Sequence, residues 1–334
     1  MTRGNETLTE RMDQMVSNLT PIHPERCIFR VPNVLRDGNE ELYEPKVIAI
    51  GPYHRGKPGL DSMEENKIRY LRNILQRTGN QSVDCLIRAV VPHEEKVRKC
   101  YAESICYLSS DEVVQILVLD GCFIIQLFFG YEMMGPEIID EDPVINSMVL
   151  LIALENDMLL IENQIPFFIL EILFNTIHPH PSFCNELKRQ ILVFFYHKLK
   201  MYGWTREDMS NLFLGERFIN DGLTPQEIEQ LFTKNVYHLL DIIHIAICFR
   251  FNESSPTASP LQIEKVFVKS VTKLKEANVR LTASSSSEKR SIFDITFKEG
   301  KLKIPSLGLT DSSEFEIRNL IALELCQKGH KRRR

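Results

Sequence analysis

Three carboxylates, Glu155, Asp157 and Glu162, lie in sequence that is otherwise strongly apolar. Two carboxylates in a dry pocket can perform general acid–base chemistry, because burial raises the pKa of one group while the other stays ionised. Glu155 and Glu162 are seven residues apart and would share a helix face, whereas Asp157 would point elsewhere. The spacing therefore supports a catalytic pair only in part.

The same stretch also has a structural interpretation. Pro166 lacks an amide proton and must kink or break a helix that spans 144–176. Asn163 and Gln164 would then satisfy the backbone groups that the kink releases, and the carboxylates would cap or cross-link the neighbouring helices. We favour this interpretation over the catalytic one.

Asp120 is a further isolated carboxylate, followed by Gly121 in the apolar run 116–129. A buried carboxylate is costly unless it is paired, so it needs a basic or amide partner. Arg318 and Asn319 are candidates for that partner. Asp120 could be a catalytic acid, but we favour a buried structural hydrogen bond.

Other chemistry is weakly represented. The sequence has no H-E-x-x-H motif, nucleophile elbow, phosphate-binding loop or dinucleotide fingerprint. His178 and His180 lie in a loop that could bind metal adventitiously, while His238 and His244 lie on poorly matched helix faces. The glycine-bearing basic segment 51–56 could contact an anion, although turn formation explains it more simply. We expect neither a metal ion nor a cofactor.

Helices must supply most of the framework. Capping-box sequences begin at Ser62, Thr224 and Ser259, each followed by apolar residues at helical spacing. Further helices are expected at 94–107, 111–129, 144–176, 184–202 and 236–250. Strand patterns are few, with one near 46–50 and a hairpin near 292–304. The prediction is a predominantly α-helical α+β fold, with a large helical core and a small β element.

Composition fits one large domain or two packed ones. The 334 residues are 43% hydrophobic with a net charge of −5, so the chain can bury a core, and the charge argues against nucleic acid as its main partner. Eight irregularly spaced cysteines without a C-x-x-C pair indicate a reduced chain. We divide it into a polar extension (1–25), a main domain (26–326) and a basic tail (327–334). Flexible loops at 252–259 and 283–290 could separate two subdomains.

The sequence carries no recognisable export or membrane signal. Its amino terminus is polar and charged, unlike a signal peptide. The two most apolar regions, 113–130 and 144–174, are interrupted by charged residues such as Asp120 and Asp157, so we expect neither to span a membrane. These features predict an intracellular chain, cytosolic or peripheral to a membrane. The basic tail could direct it to the nucleus or to anionic lipid.

Short blocks spread along the chain resemble one known family. They are C-I-F-R-V-P-N at 27–33, Y-E-P at 43–45, I-A-I-G-P-Y-H at 48–54, L-D-G-C-F-I-I at 119–125, L-L-I-E-N-Q-I-P-F-F at 159–168, L-K-I-P at 302–305 and F-E-I-R-N-L-I-A-L-E at 315–324. Together and in this order they resemble the plant family called domain of unknown function 247, over most of the chain.

The resemblance implies a set of motif residues whose role we expect to be structural. They are Arg30, Pro32, Asn33, Gly51, Pro52, Tyr53, His54, Asp120, Gly121, Glu162, Asn163, Gln164, Pro166, Arg318 and Asn319. The family is specific to land plants and has no established enzymatic activity or cofactor. Typical members continue into a hydrophobic membrane-spanning segment, whereas this sequence stops at Arg334. Membrane association is therefore implied by the family rather than by these residues.

Two functions follow as expectations. Some relatives are linked to self-incompatibility, which implies recognition, so we predict a non-catalytic recognition or signalling protein that contacts an unknown protein partner. The alternative is an uncharacterised enzyme that uses Asp120, Glu155 and Glu162 in a helical pocket. We favour the first, because no recognisable catalytic constellation is present.

Overall fold

Helices dominate the computed structural model, which describes residues 7–17, 23–79, 82–133, 142, 144–180, 183, 185–214, 222–254, 270–283, 295–305 and 312–331. In chain order the helices are α1 (Leu8–Ser17), α2 (Asn33–Arg36), α3 (Ser62–Thr78), α4 (Asp84–Val90), α5 (Glu94–Cys100), α6 (Ser110–Met133), α7 (Met148–Met158), α8 (Phe167–Ile177), α9 (Glu186–Phe194), α10 (Tyr196–Leu199), α11 (Arg206–Leu214), α12 (Pro225–Phe232), α13 (Leu239–Ser254), α14 (Val271–Glu276) and α15 (Ser313–Lys331). Short 3₁₀ helices lie at Glu40–Leu42, Val91–His93 and Lys200–Tyr202. The predicted helical core with a small β element is confirmed.

Helix α6 is the centre of the core. It packs against α3, α4, α8 and α9, and every residue from 121 to 129 is buried. Gly121 permits the close approach of α8, because a Cβ atom at this position would lie 2.3 Å from Leu173 Cδ1. The Asp120–Gly121 pair thus places a carboxylate in the core at the point where two helices come closest.

Length and composition alone would allow one segment, Ser110–Phe129, to cross a membrane. The acidic residues of this helix therefore do not exclude a span by composition, because its mean hydropathy is 1.9. Within the protein, 83% of the segment is buried, as in the core helix of a packed domain.

The apolar run 144–174 is divided into α7 and α8 by a loop at 159–166. Pro166 immediately precedes α8 with φ −60° and ψ 132°, so the prediction that it interrupts the helix is confirmed. Every residue of the loop is buried. A buried loop needs partners for its backbone amides and carbonyls, and polar side chains supply them, as described below.

The β element is a three-stranded sheet of β1 (Arg280–Ala283), β2 (Thr296–Lys298) and β3 (Lys301–Ile304), in the order β1-β3-β2. Strands β2 and β3 form an antiparallel hairpin through Glu299 and Gly300, whose φ values of 53° and 71° are typical of a type I′ turn. The predicted hairpin is confirmed over 296–304, while 292–294 lie outside the described residues. Strand β1 was not predicted, because it pairs in parallel with β3 and has no local turn signal.

Two predicted elements were wrong. The segment 46–50 is not a strand, because its backbone amides bond to side chains instead of to a neighbouring strand. The predicted loop at 252–259 begins too early, since 252–254 form the end of α13. Residues 255–259 and 284–290 lie outside the described part of the chain.

The capping boxes had mixed outcomes. Thr224 forms a complete box with Glu227 at the start of α12, which confirms that prediction. Ser62 is the first residue of α3 and Asp61 precedes it without a side-chain cap, so no box forms there. Ser259 lies outside the described residues.

Candidate functional site

The segment 46–50 begins with a bend at residues 46 and 47 and is held by the side chain of Asp157. This carboxylate, near the end of α7, accepts hydrogen bonds from the amides of Lys46, Val47 and Ile48 at 3.0, 2.7 and 2.9 Å. Burial raises the pKa of Asp157 to about 6, and the amide hydrogen bonds oppose that rise. Asp157 therefore binds three successive amides, which a strand would direct alternately to opposite sides.

Two amide side chains of the buried loop continue this arrangement. Asn163 accepts a hydrogen bond from the amide of Ile50 at 2.6 Å. Gln164 Nε2 donates to the carbonyls of Met158 and Leu160, both at 2.7 Å. The loop thus satisfies its own backbone and that of segment 46–50, which is the role we expected for Asn163 and Gln164 from the sequence.

Gly51 lies where segment 46–50 meets the loop. Its φ of +72° favours glycine, and a Cβ atom would lie 2.4 Å from the carbonyl oxygen of Gln164. The same carbonyl accepts a hydrogen bond from the Tyr101 hydroxyl at 3.0 Å. The Gly51 amide donates to Asp120 Oδ2 at 2.7 Å, so this glycine connects the loop to the core helix.

Glu162 is a fully buried carboxylate with two arginine partners. Arg30 Nη1 lies 3.0 Å from Glu162 Oε2, and Arg36 Nη2 binds Glu162 Oε1. The amide of Val31 also donates to Oε1, at 2.7 Å. Arg36 in addition pairs with Glu44 at 2.5 Å. The glutamate thus attaches the chain around Arg30 to the buried loop.

His54 lies inside this charged group. The residue is 1% exposed, with Nδ1 3.5 Å from Glu44 and Nε2 3.6 Å from Glu162. Neither ring nitrogen has a hydrogen bond in the described structure. Burial lowers the pKa of His54 to about 4, helped by Arg30 and Arg36 and opposed by Glu162. The imidazole is therefore neutral at physiological pH.

The remaining residues of the first two blocks position this group. Pro32 precedes α2, which begins at Asn33. The Tyr53 ring lies 4.3 Å from the Arg30 guanidinium, and the Pro52 carbonyl accepts a hydrogen bond from the Tyr107 hydroxyl at 3.4 Å. These contacts fix the turn that carries His54.

Asp120 and Lys67 form a buried ion pair. Both residues are 0% exposed, and Lys67 Nζ lies 2.6 Å from Asp120 Oδ1. Lys67 also donates to the carbonyl of Ala49 at 2.5 Å, and Arg55 lies 3.5 Å from the carboxylate. Burial raises the pKa of Asp120, while Lys67 and Arg55 oppose that rise. Both the ammonium and the carboxylate therefore have further polar partners besides each other.

The predicted partners of the buried carboxylates were wrong. Arg318 pairs with Glu314 at 2.8 Å, one turn away on α15, in a contact that is largely exposed. Asn319 binds backbone groups instead, accepting from the Ile161 amide at 3.2 Å and donating to the Leu42 carbonyl at 3.0 Å. Asn319 therefore supplies a hydrogen-bond partner to the backbone of the buried loop. Asp120 and Glu162 pair instead with Lys67, Arg30 and Arg36.

Glu155 lies apart from the other two candidate acids. Its carboxylate is 2.9 Å from His197 Nε2 and lines a cavity of about 400 Å³ with apolar walls that include Phe128 and Phe194. Glu162 is in the loop and not on α7, so the predicted shared helix face does not exist. Asp120, Glu155 and Glu162 each have different partners, and the structure does not bring them together in one pocket.

The three-stranded sheet has two chemically different faces. Residues aligned across the strands share a face, so Arg280, Lys301 and Lys298 lie in one row, followed on the same side by Lys303. The other face carries the row Leu281, Leu302 and Phe297, followed by Ala283 and Ile304. Phe297 is 64% exposed and Ile304 is 41% exposed. The apolar face is therefore left open to solvent.

Residues 28–334 match the DUF247 family, described as a plant protein of unknown function. The chain belongs to the DUF247 family. A UPF0481 protein of Arabidopsis thaliana is 29% identical over 316 residues, which cover 89% of this chain and 60% of the relative. A putative UPF0481 protein of the same plant is 30% identical over 143 residues, 43% of this chain and 26% of the relative.

The chain thus spans 60% or less of the length of these two relatives. No solved structure matches it. The DUF247 resemblance that the sequence blocks indicated is confirmed.

Among the described residues of this DUF247 chain, no group of three or more His, Cys, Asp or Glu side chains is placed to hold a metal ion. The charged groups that lie closest together, around Glu162, already contain the cations Arg30 and Arg36.

Sequence reasoning missed Lys67, Arg36 and Glu44, which complete the DUF247 network. Lys67 had a usable signal: the buried face of α3 consists of Met63, Lys67, Tyr70 and Ile74. A lysine on the apolar face of an amphipathic helix needs a buried anion. Arg36 ends the four-residue helix α2 and Glu44 follows a 3₁₀ helix, and neither offered a comparable pattern.

Proposed function

We propose that this DUF247 protein is a non-catalytic recognition protein that binds a protein partner through its three-stranded sheet. The observation that carries the proposal is the exposure of both chemically distinct faces of the sheet, one apolar and one basic. The sheet contributes no buried residue to the hydrophobic core, because all strand residues are exposed or half-buried. Exposed apolar side chains bordered by charge are typical of interaction sites.

The buried acids give less support to an enzyme. Asp120 is neutralised by Lys67 and Glu162 by two arginines, and each of these carboxylates also accepts a backbone amide. A general acid or base must be able to reach the atom from which it takes a proton. These two groups are committed to holding chain segments together.

The sheet favours one kind of partner segment, an extended strand with alternating apolar and acidic residues. Strand β2 is at an edge of the described sheet, and all its residues are exposed. A strand added there would place alternate side chains on opposite faces. Its apolar residues would lie beside Phe297, while its acidic residues would meet Lys298.

A peptide titration tests this proposal. A fluorescent ten-residue peptide of alternating Val and Glu would be titrated with the full chain, alongside a matched peptide of alternating Val and Lys. We expect saturable binding of the Val–Glu peptide that weakens as salt screens the charges. The double variant K298E/K301E should lose this binding and bind the Val–Lys peptide instead.

Reversal of Lys234, an exposed lysine outside the sheet, serves as the matched control, and K234E should bind like the unmodified chain. Equal binding of both peptides, or undiminished binding by K298E/K301E, would overturn the proposal. Binding to phosphatidylserine vesicles without binding to the peptide would overturn it in favour of a lipid surface.

A further inference from the structure

A cavity of about 970 Å³ is lined by residues of α12, α13 and α15 and of the loop between α12 and α13. Apolar side chains, including Tyr237, Ile245 and Phe249, form part of its wall. Asn235 and Gln327 add side-chain amides that can donate hydrogen bonds. Its volume and mixed lining suit a small organic molecule with one carbonyl group.

A cysteine, a histidine and a glutamate meet at this cavity. His244 and Cys248 are four residues apart on α13 and therefore share a helix face, and both line the cavity. Cys248 Sγ lies 3.5 Å from His244 Nε2, and Glu324 Oε1 of α15 lies 3.1 Å from the same nitrogen. A single imidazole nitrogen thus contacts a thiol and a carboxylate.

This arrangement places a cationic imidazole beside the thiol. Burial by itself would lower the pKa of His244, but Cys248 and Glu324 raise it to about 9. The other charged groups around the cavity are Glu227, Lys234 and Asp241. Asp241 is already committed, since it accepts hydrogen bonds from the Tyr237 amide at 2.9 Å and from Gln327 Nε2 at 3.2 Å.

We infer that Cys248 is a covalent modification site for small α,β-unsaturated carbonyl compounds, with the His244 imidazolium as the partner of its thiolate. The thiol gives its proton to solvent water, and the imidazolium, which Glu324 holds in place, stabilises the thiolate. The Cys248 sulfur then bonds to the β-carbon of the ligand, and the electron pair of the C=C bond moves to the carbonyl as an enolate. A solvent proton, which replaces the one that the thiol released, adds to the α-carbon and leaves a saturated thioether.

The step requires no oxidant and releases no leaving group, and the proton taken from solvent balances the one given to it. The site goes beyond the proposed recognition function, because it involves a different surface and a different class of ligand. Accessibility alone does not distinguish Cys248, since Cys106 is more exposed. What distinguishes Cys248 is the imidazole beside it.

Site-resolved labelling tests the inference. The full chain would react with a limiting amount of N-ethylmaleimide, an α,β-unsaturated imide, and peptide mass spectrometry would give separate rates for Cys248 and Cys106. We expect Cys248 to react about tenfold faster than Cys106 near neutral pH.

The variant H244Q should slow Cys248 about tenfold and leave Cys106 unchanged, and E324Q should have a smaller effect of the same kind. Circular dichroism would verify that both variants fold. If H244Q does not fold, the ratio of the Cys248 and Cys106 rates in the unmodified chain decides the question. A Cys248 rate at or below that of Cys106, or an undiminished Cys248 rate in a folded H244Q variant, would overturn the inference.

Discussion

The buried polar network and the exposed sheet both carry several charges, but the charges are neutralised differently. In the network, Asp120 and Lys67 are fully buried and 2.6 Å apart. In the sheet, Arg280, Lys298 and Lys301 are exposed, and the three described strands contain no acidic residue. Removing a charge from water costs several kcal/mol unless an opposite charge is fixed beside it, so only the buried charges need partners within the chain.

This difference separates framework from surface. The blocks by which the family is recognised, such as the one that contains Glu162, lie in the network and hold irregular segments in place. The sheet carries the short block L-K-I-P at 302–305, and its exposed residues are the ones available to another molecule. Predictions of large stability losses therefore belong to the network, and predictions of altered binding belong to the sheet.

The largest effect should come from breaking the Asp120–Lys67 pair. The variant D120N leaves the Lys67 ammonium buried beside a neutral amide, and we expect a loss of about 3–5 kcal/mol in the free energy of unfolding. Urea denaturation followed by circular dichroism measures it. The double variant D120N/K67M removes both charges and should recover part of the loss. If the double variant lost as much stability as D120N and K67M lose together when measured singly, the two residues would not act as a pair.

Substitution of Gly51 should cost somewhat less. Gly51 and Gly38 have nearly equal φ values of +72° and +70°, but only at Gly51 would a Cβ atom meet the protein, 2.4 Å from a carbonyl oxygen. G38A should cost about 1–2 kcal/mol for the left-handed backbone. G51A should cost about 1–3 kcal/mol more, because the buried loop must move. Equal losses in thermal unfolding would show that the close approach to Gln164 is not important.

Neutralising Glu162 tests the arginine contacts. E162Q keeps the shape of the side chain but weakens its bonds to Arg30 and Arg36, and we expect a loss of about 1–3 kcal/mol. Glu103 also pairs with Arg30, at 3.4 Å, but its side chain is 63% exposed. E103Q is therefore the matched control, with an expected loss below about 1 kcal/mol. A larger loss for E103Q than for E162Q would contradict the structural role of the buried glutamate.

The sequence predicted the fold class and many local features for physical reasons. Pro166 interrupts the helical run and the Glu299–Gly300 pair closes the hairpin, because both depend on local backbone constraints. The segment 46–50 defeated the same reasoning, because an apolar extended stretch predicts a strand. Its actual partner is the Asp157 side chain, more than one hundred residues away.

The charge pairs of the network could not be predicted from the sequence, because they too join residues that are far apart in the chain. A lone buried Asp120 correctly indicated a partner, but that partner was Lys67 and not Arg318. Pairing depends on how α3 packs on α6, which the period of one helix does not determine. The sheet faces required the parallel pairing of β1 with β3, which is also non-local.

Acidification should weaken the network through His54. The pKa of His54 is lowered to about 4 in the folded protein, against about 6.5 in an unfolded chain. Between these values the unfolded state binds a proton that the folded state does not, so stability falls as pH decreases through this window. Asp157, whose pKa is raised to about 6, contributes the opposite slope.

Comparison with H54Q isolates the histidine, because the variant retains Asp157. The unmodified chain should lose more stability than H54Q between about pH 6.5 and 4.5, while above about pH 7 the difference between the two should be constant. Urea titrations at several pH values give both curves. Parallel curves through the acidic range would mean that His54 keeps an ordinary pKa in the folded protein.

The smallest effect on stability should come from the sheet. Phe297 is 64% exposed, in contrast to Phe128, which is 1% exposed and packs against α9. F297S should change the free energy of unfolding by less than about 0.5 kcal/mol, whereas F128A should cost about 3–5 kcal/mol. The same F297S variant should weaken binding of the Val–Glu peptide, because a partner strand would lose an apolar contact. A loss of stability without a loss of binding would reverse the comparison, since Phe297 would then belong to the framework.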